Sequence, residues 1–257
     1  MAEMLKFKTY INNKNKQWIT FIHGFGGSSN IWHKQVRELS KHHNLLFIDL
    51  RGHGKSRNIR LDLDFNLSSA CEDIIEVLKF LKIKNSHFVG ISFGTLLIFK
   101  LIETHKKYIN KSILAGAITS FNHFTRFLLL CLNLLKNILP NMLLYKLFAY
   151  IIMPKSNHKE SRRIFIQEAK VIDRKVFKQW LKLKPDLKKY ILYLKPMNFN
   201  KYILFLSGKG DYLFSEEVKE FSSKNKLLSY CSIEDAGHVV NIDNPSIFNK
   251  RVIEYLK

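Results

Sequence analysis

The segment Gly90-Ile91-Ser92-Phe93-Gly94 places one serine between two glycines, in an otherwise apolar part of the chain. Residues 86–91 predict a buried strand, and residues 93–105 predict a helix. A serine at such a strand-to-helix turn is typical of the G-x-S-x-G nucleophile elbow, which presents the hydroxyl at the carboxyl end of the sheet. The alternative interpretation is a helix N-cap serine between two packing glycines.

A serine nucleophile requires a base, and the base requires a carboxylate that orients it. His238 follows the last predicted strand, near residues 227–233, and Asp211 follows the strand before it. We therefore predict that Ser92, Asp211 and His238 are the catalytic residues. Asp235, which lies just before His238 in the chain, is the alternative acid.

Two backbone N–H groups are predicted to form an oxyanion hole, which acyl transfer requires. One belongs to Phe93, the residue after the serine. The other belongs to Phe25 in His23-Gly24-Phe25-Gly26-Gly27-Ser28, a glycine-rich loop after a predicted strand. This loop lacks the Lys-Ser/Thr ending of a P-loop and the G-x-G-x-x-G spacing, so the sequence does not favour a phosphate-binding turn.

Predicted strands and helices alternate on both sides of a long helical stretch. The predicted strands are 18–22, 44–50, 86–91, 112–118, 202–206 and 227–233. This alternation predicts an α/β fold with a mostly parallel sheet that helices cover on both faces. No convincing strand occurs between residues 120 and 198. We therefore expect a core domain formed by residues 1–119 and 199–257, with residues 120–198 inserted as a helical cap.

In combination, these motifs resemble those of the α/β-hydrolase superfamily along nearly the full length of the chain. The matching segments are His23-Gly24-Phe25-Gly26-Gly27-Ser28-Ser29 with Trp32, Asp49-Leu50-Arg51-Gly52-His53-Gly54-Lys55-Ser56, Gly90-Ile91-Ser92-Phe93-Gly94, Gly208-Lys209-Gly210-Asp211, and Gly237-His238 with Asn244-Pro245. The resemblance implies an eight-stranded sheet with a helical cap. It also implies that Ser92 is the nucleophile, His238 the base and Asp211 the partner of the base.

The predicted substrate is a small ester with an apolar acyl group. Serine at the elbow favours hydrolysis of acyl compounds or C–C cleavage over the reactions of relatives that carry aspartate there. The apolar cap predicts an acyl pocket, with Phe25, Phe93, Phe124 and Phe127 as substrate-binding residues. We therefore predict a carboxylesterase or lipase-like serine hydrolase that prefers a medium-chain acyl group.

Two other functions compete with this prediction. One is a lyase, or a C–C bond or thioester hydrolase, that acts on a small carboxylated metabolite, with Arg126 as the candidate carboxylate ligand. The other is a protein of this fold that binds a ligand without catalysis, against which the complete set of Ser92, Asp211 and His238 argues.

The composition limits the partners that we expect. The net charge is +21, with 42 Lys and Arg against 21 Asp and Glu. The basic residues are spread along the chain and form no block interleaved with aromatic residues, so we predict no nucleic-acid binding and weak attraction to anionic membranes. The three cysteines lack metal-ligand spacing, so we predict no metal and no cofactor. Widely spaced cysteines and the lack of a signal-peptide core predict a cytoplasmic location.

Overall fold

The computed structural model describes residues 3–13, 16–135, 138–194 and 199–257. Within these ranges the chain forms one seven-stranded sheet and eleven α-helices. The strands are β1 (Phe7–Tyr10), β2 (Trp18–Ile22), β3 (Asn44–Ile48), β4 (Ser86–Ile91), β5 (Ile109–Ala115), β6 (Ile203–Gly208) and β7 (Leu228–Ile233). The helices are α1 (His33–Leu39), α2 (Leu67–Phe80), α3 (Phe93–Thr104), α4 (His123–Leu135), α5 (Asn141–Ile152), α6 (Lys159–Ala169), α7 (Arg174–Lys182), α8 (Lys184–Leu194), α9 (Ser215–Ser222), α10 (Val240–Asp243) and α11 (Pro245–Leu256).

The strands follow the order β1-β3-β2-β4-β5-β6-β7 across the sheet. All neighbouring pairs are parallel except β1 and β3, which are antiparallel. The expectation of eight strands is therefore wrong for the described residues, which contain seven. Residues 3–6 precede β1 and form no strand, and the Lys6 carbonyl accepts a hydrogen bond from the Asp49 N–H just past the end of β3.

The predicted and observed strands agree within two residues at each end, except at two places where they differ more. The edge strand β1 was not predicted, because its four residues, three half-buried and one exposed, carry little periodicity. The strand predicted at 112–118 runs instead from Ile109 to Ala115. It ends there because Gly116 adopts a φ of 48°, which turns the chain out of the extended conformation.

Both faces of the sheet are covered, so the central strands are buried along their whole length. Every residue of β3 and β4 is buried, as expected for parallel strands that lie between two helical layers. Helices α2, α3 and α9 pack on one face, where Phe99 and Phe205 are fully buried. Helices α1 and α11 pack on the other face around Trp32 and Phe248. Packing on both faces fixes the positions of β2, β4, β6 and β7, whose carboxyl ends lie at the same edge of the sheet.

The chain between β5 and β6 forms only helices in its described part, and we call α4–α8 (residues 123–194) the helical insertion. The insertion contacts the loops at the carboxyl edge of the sheet: the Tyr145 and Phe177 rings pack against Phe25, and Trp180 Nε1 donates to the Arg51 carbonyl over 3.1 Å. The predicted division into core and cap domains stays a prediction, and its boundary at residue 198 lies outside the described residues. No described helix is long and apolar enough to cross a membrane.

Candidate active site

Ser92 is the single residue between β4 and α3, and its backbone conformation is strained. Its φ and ψ angles are 52° and −119°, a combination that costs a residue with a side chain about 1–3 kcal/mol. Neighbouring elements hold this turn. The Ser92 N–H donates to the Ala115 carbonyl over 3.0 Å, and the Ser92 carbonyl accepts from the Thr95 N–H over 2.9 Å. This conformation is the one that the elbow motif requires.

The two flanking glycines allow the backbone segments around Ser92 to approach closely. A Cβ atom on Gly94 would lie 2.5 Å from the Ile22 carbonyl oxygen. A Cβ atom on Gly90 would lie 2.5 Å from the side chain of Ile98. Both contacts are shorter than any that real Cβ atoms make, so larger residues would push α3 away from the sheet.

Asp211 and His238 meet at the same edge of the sheet. Asp211 lies in the loop after β6 and His238 in the loop after β7. His238 Nδ1 lies 2.9 Å from Asp211 Oδ2, and both side chains are buried. An ionised carboxylate only accepts hydrogen bonds, so Nδ1 carries the hydrogen and Nε2 of the neutral ring keeps its lone pair. The pair can therefore take up a proton at Nε2.

The alternative acid, Asp235, does not take this position. It has a φ of 54° in the turn after β7, and its side chain is exposed. Its carbonyl accepts a hydrogen bond from Asn157 Nδ2 over 3.0 Å. The structure therefore pairs His238 with Asp211, as the chain order predicts.

Two buried histidines hold the glycine-rich loop that contains Phe25. The Gly26 N–H donates to His53 Nε2 over 3.2 Å, and His53 Nδ1 donates to the Arg51 carbonyl over 2.9 Å. His23 Nε2 accepts from the Leu50 N–H over 3.0 Å. None of these bonds uses the N–H of Phe25. The N–H of Phe93 is the first of α3, where no intrahelical acceptor exists.

Burial keeps both of these histidines neutral. Loss of solvent lowers the pKa of His23 below its usual value, although the nearby Asp49 opposes this change. Loss of solvent, together with the neighbouring His23, lowers the pKa of His53 to about 3. Both rings can therefore serve as hydrogen-bond acceptors for the backbone at neutral pH.

The low pKa of His53 predicts that the protein loses stability in mild acid. The unfolded chain binds more protons than the folded protein between about pH 6.5 and the pKa of about 3 in the fold, so stability falls as the pH drops below about 6.5. Protonation of His53 in the unfolded chain should lower the free energy of unfolding by about 2 kcal/mol at about pH 5, relative to neutral pH. Urea unfolding at about pH 7.5 and about pH 5 measures the loss.

A pair of variants isolates the contribution of His53. His53→Gln should unfold with a smaller pH dependence than the wild type, since glutamine can accept the Gly26 bond without titrating. The matched control is His33→Gln, because His33 is exposed. Equal pH dependence in the wild type and in His53→Gln would contradict the assignment.

Ser92 and His238 line one cavity, which has a volume of about 190 Å³, together with Phe25 and Phe93. The helical insertion supplies much of the remaining wall. Its residues there include Leu128, Leu129, Leu144, Phe148, Phe177 and Trp180. None of the described residues that line the cavity is Lys, Arg, Asp or Glu. The space next to the Ser92 hydroxyl is thus suited to an uncharged, apolar group.

Phe124 and Phe127, the two cap residues predicted to bind substrate, are not part of the cavity wall, and their role in binding stays a prediction. Both side chains are exposed, at 48% and 59%, and neither lines the cavity. Helix α4 turns Thr125, Leu128 and Leu129 toward the cavity instead. Phe124 lies one turn before Leu128, at the margin of the cavity-facing side, and Phe127 lies farther round the helix; both side chains are exposed.

Arg126 is also outside the cavity. Its side chain is exposed, and its Nε donates to the Phe121 carbonyl over 2.9 Å. It therefore does not hold the position that the carboxylated-metabolite hypothesis assigns to it.

Sequence reasoning missed the aromatic residues of α7 that enclose the site. Phe177 packs against Phe25, and the Trp180 ring packs edge-on against Phe93. The available signal was the helical spacing of these two residues after Asp173, whose side chain caps the helix by accepting from the Lys175 N–H. Among the described residues, no group of three or more His, Cys, Asp or Glu side chains is arranged to hold a metal ion.

Comparison with known proteins agrees with this architecture. The family model described as the alpha/beta hydrolase fold matches residues 17–245. The putative carbamate hydrolase RutD of Agrobacterium fabrum is 24% identical over 241 residues, which cover 91% of this chain and 90% of that protein. The enol-lactonase of Burkholderia xenovorans superposes with a TM-score of 0.83 at 20% identity, covering 98% of this chain and 96% of that one. The esterase EaEST of Exiguobacterium antarcticum superposes with a TM-score of 0.82 at 20% identity, covering 98% and 94%.

The fold, the elbow at Ser92 and the family match together define the class of protein. The chain belongs to the α/β-hydrolase family. Its relatives by sequence include a putative carbamate hydrolase and an esterase.

Proposed function

We propose that the protein is a serine hydrolase that cleaves carboxylic esters with an apolar acyl group. The observation that carries the proposal is the arrangement of Ser92, His238 and Asp211 at and behind the wall of one cavity. The strained Ser92 and the buried His238 line this cavity, and Asp211 orients His238 from behind. A serine, a base and a carboxylate in this arrangement are the groups that acyl transfer to a hydroxyl requires.

In the proposed first half-reaction, Ser92 Oγ attacks the acyl carbon and His238 Nε2 takes the hydroxyl proton. The negative charge that develops on the carbonyl oxygen is stabilised by the N–H groups of Phe25 and Phe93. The C–O bond of the ester then breaks, and His238 gives its proton to the leaving alcohol. Asp211 remains ionised throughout and stabilises the imidazolium.

In the second half-reaction, water replaces the alcohol. His238 Nε2 takes a proton from the water as its oxygen attacks the acyl-enzyme. The bond between the acyl carbon and Ser92 Oγ breaks, and His238 returns the proton to Ser92. The products are a carboxylic acid and the free enzyme, so no other reactant is needed.

The residues of the cavity wall favour a substrate with an apolar acyl group. The described lining residues are almost all aliphatic or aromatic and include no cation. A substrate carboxylate placed there would lose its hydration without gaining a charged partner, which is costly. The cavity therefore favours a neutral ester over the small carboxylated metabolite of the alternative hypothesis.

A series of p-nitrophenyl esters tests the proposed acyl specificity. Wild-type protein should hydrolyse butanoyl and octanoyl esters with a higher kcat/KM than the acetyl ester, because a longer chain fills more of the apolar cavity. Each buried CH₂ can contribute up to about 0.8 kcal/mol, or about fourfold in kcat/KM. Ser92→Ala, measured beside the wild type, provides the background rate.

Two tryptophan substitutions in α4 provide a matched comparison. Leu128 lines the cavity, so Leu128→Trp should shorten the preferred acyl chain. Leu130 is on the exposed side of the same helix, so Leu130→Trp should leave the preference unchanged. Turnover of only the acetyl ester by the wild type, or the same shift in both variants, would refute the apolar-acyl assignment. Turnover equal to that of Ser92→Ala at every chain length would refute the esterase proposal itself.

A further inference from the structure

Helices α4 and α5 present an apolar face to solvent as well as to the cavity. On α4 the exposed side chains include Phe127, Leu130 and Leu134, and on α5 they include Leu143 and Leu147. Their exposed fractions lie between 43% and 60%. The spacing within each helix puts these residues on one side of that helix. We call these five residues the outer face of the insertion. Exposed apolar surface of this kind marks a site of interaction with a protein or a membrane.

The chain segment that forms the outer face carries side-chain charge of one sign only. Residues 104–159 contain no Asp or Glu, although they include several Lys and Arg residues. Arg126 on α4 and Lys146 on α5 are exposed beside the apolar side chains. The whole chain carries a net charge of +21. A surface that combines apolar side chains with positive charge and lacks negative charge is complementary to a layer of anionic lipid headgroups.

We propose that the outer face of the insertion binds the surface of a membrane that contains anionic phospholipid. The helices would lie in the interface with Leu130, Leu134 and Leu147 among the acyl chains. Arg126 and Lys146 would lie at the level of the phosphates. None of the described helices can span a bilayer, so the attachment is peripheral. The opposite sides of α4 and α5 line the cavity through Leu128 and Phe148, so the bound protein holds that cavity next to the lipid.

A second copy of the chain is the other occupant that an apolar face could accept. Pairing of two outer faces would bring Arg126 and Lys146 of both copies together with no acidic residue from 104–159 to compensate them. Like charges opposed in this way disfavour association. An anionic membrane provides negative charge opposite Arg126 and Lys146. For this reason we favour a membrane over a second copy of the chain as the partner of the outer face.

Vesicle co-sedimentation tests the proposal without relying on catalysis. The probes are vesicles of phosphatidylcholine alone and vesicles of equal parts phosphatidylcholine and phosphatidylglycerol. Wild-type protein should bind the mixed vesicles at least about tenfold more tightly than the neutral ones, and salt should weaken this binding. Leu130→Glu/Leu134→Glu should reduce binding to the mixed vesicles by at least about tenfold.

The matched control is Ile11→Glu/Leu63→Glu. Ile11 and Leu63 are exposed, at 59% and 102%, and lie outside the insertion. This variant carries the same two added negative charges, and it should bind like the wild type within about twofold. Circular-dichroism spectra check that both variants are folded, and Leu130→Gln/Leu134→Gln replaces the glutamate variant if that one is insoluble.

Several results would overturn the proposal. Equal losses of vesicle binding in the two glutamate variants would show that only the net charge matters. Absence of wild-type binding to the mixed vesicles would exclude an anionic membrane as the partner. Sedimentation velocity provides the remaining comparison: a dimer that the Leu130→Glu/Leu134→Glu variant abolishes, together with no vesicle binding, would assign the outer face to a second copy.

Discussion

Replacement of Ser92 by alanine is expected to lower kcat for ester hydrolysis by at least about 10⁴-fold. The alanine side chain cannot form the acyl-enzyme, so only the oxyanion-binding N–H groups and the cavity would still accelerate the reaction. The fold should be unchanged, because alanine keeps the Cβ atom and so has the same backbone strain as serine at this position.

The measurement combines steady-state rates with covalent labelling. A fluorophosphonate should inactivate the wild type and add its phosphonyl group to the peptide that contains Ser92, whereas Ser92→Ala should stay unlabelled. Ser68→Ala is the matched control, because Ser68 is exposed on α2, and it should keep full activity. Full esterase activity in Ser92→Ala, or labelling of a different serine, would refute the assignment of the nucleophile.

Replacement of Asp211 by asparagine is expected to lower kcat by about 10⁴-fold. The carboxylate accepts the hydrogen of His238 Nδ1 over 2.9 Å. An asparagine amide can donate to Nδ1 instead, which places the imidazole hydrogen on Nε2. The histidine could then no longer take the proton from Ser92. Asparagine has nearly the same size as aspartate, so this loss should occur with little change in the fold.

The matched control for this prediction is Asp235→Asn. Asp235 lies three residues before His238 in the chain, but its side chain is exposed. Asparagine also tolerates the left-handed backbone conformation found there. The control should keep its kcat within about twofold, because exposed side chains away from the site contribute little. A large loss in Asp235→Asn with normal activity in Asp211→Asn would reverse the assignment of the acid.

The positions of Ser92, Asp211 and His238 could be predicted because each follows a strand. The runs that end at Ile91 and near Gly208 are buried along their whole length and are recognisable from composition, whereas β7 is fully buried only at Leu228 and Ile233. Parallel strands put their carboxyl ends at one edge. Residues far apart in the sequence are therefore expected at one place once the strands are known.

The rotation of α4 about its axis could not be predicted in the same way. Apolar residues occur all around this helix, so the periodicity does not distinguish the side that faces the cavity from the side that faces solvent. Packing selects Leu128 and Leu129 for the cavity and leaves Phe124 and Phe127 outside. Hydrophobicity alone therefore does not identify which residues of α4 line the cavity.

Some features of this protein follow from local sequence preferences alone. These are the central parallel strands, the glycine-bounded turn at Ser92, and the chain order of the three residues that approach one another. Other features depend on contacts between distant segments. These are the pairing of His238 with Asp211, the hydrogen bond from the Gly26 N–H to His53, and the enclosure of the cavity by the helical insertion. The physical reason is that strand and turn preferences are local, whereas loop conformation and helix rotation are fixed by packing and hydrogen bonds across the fold.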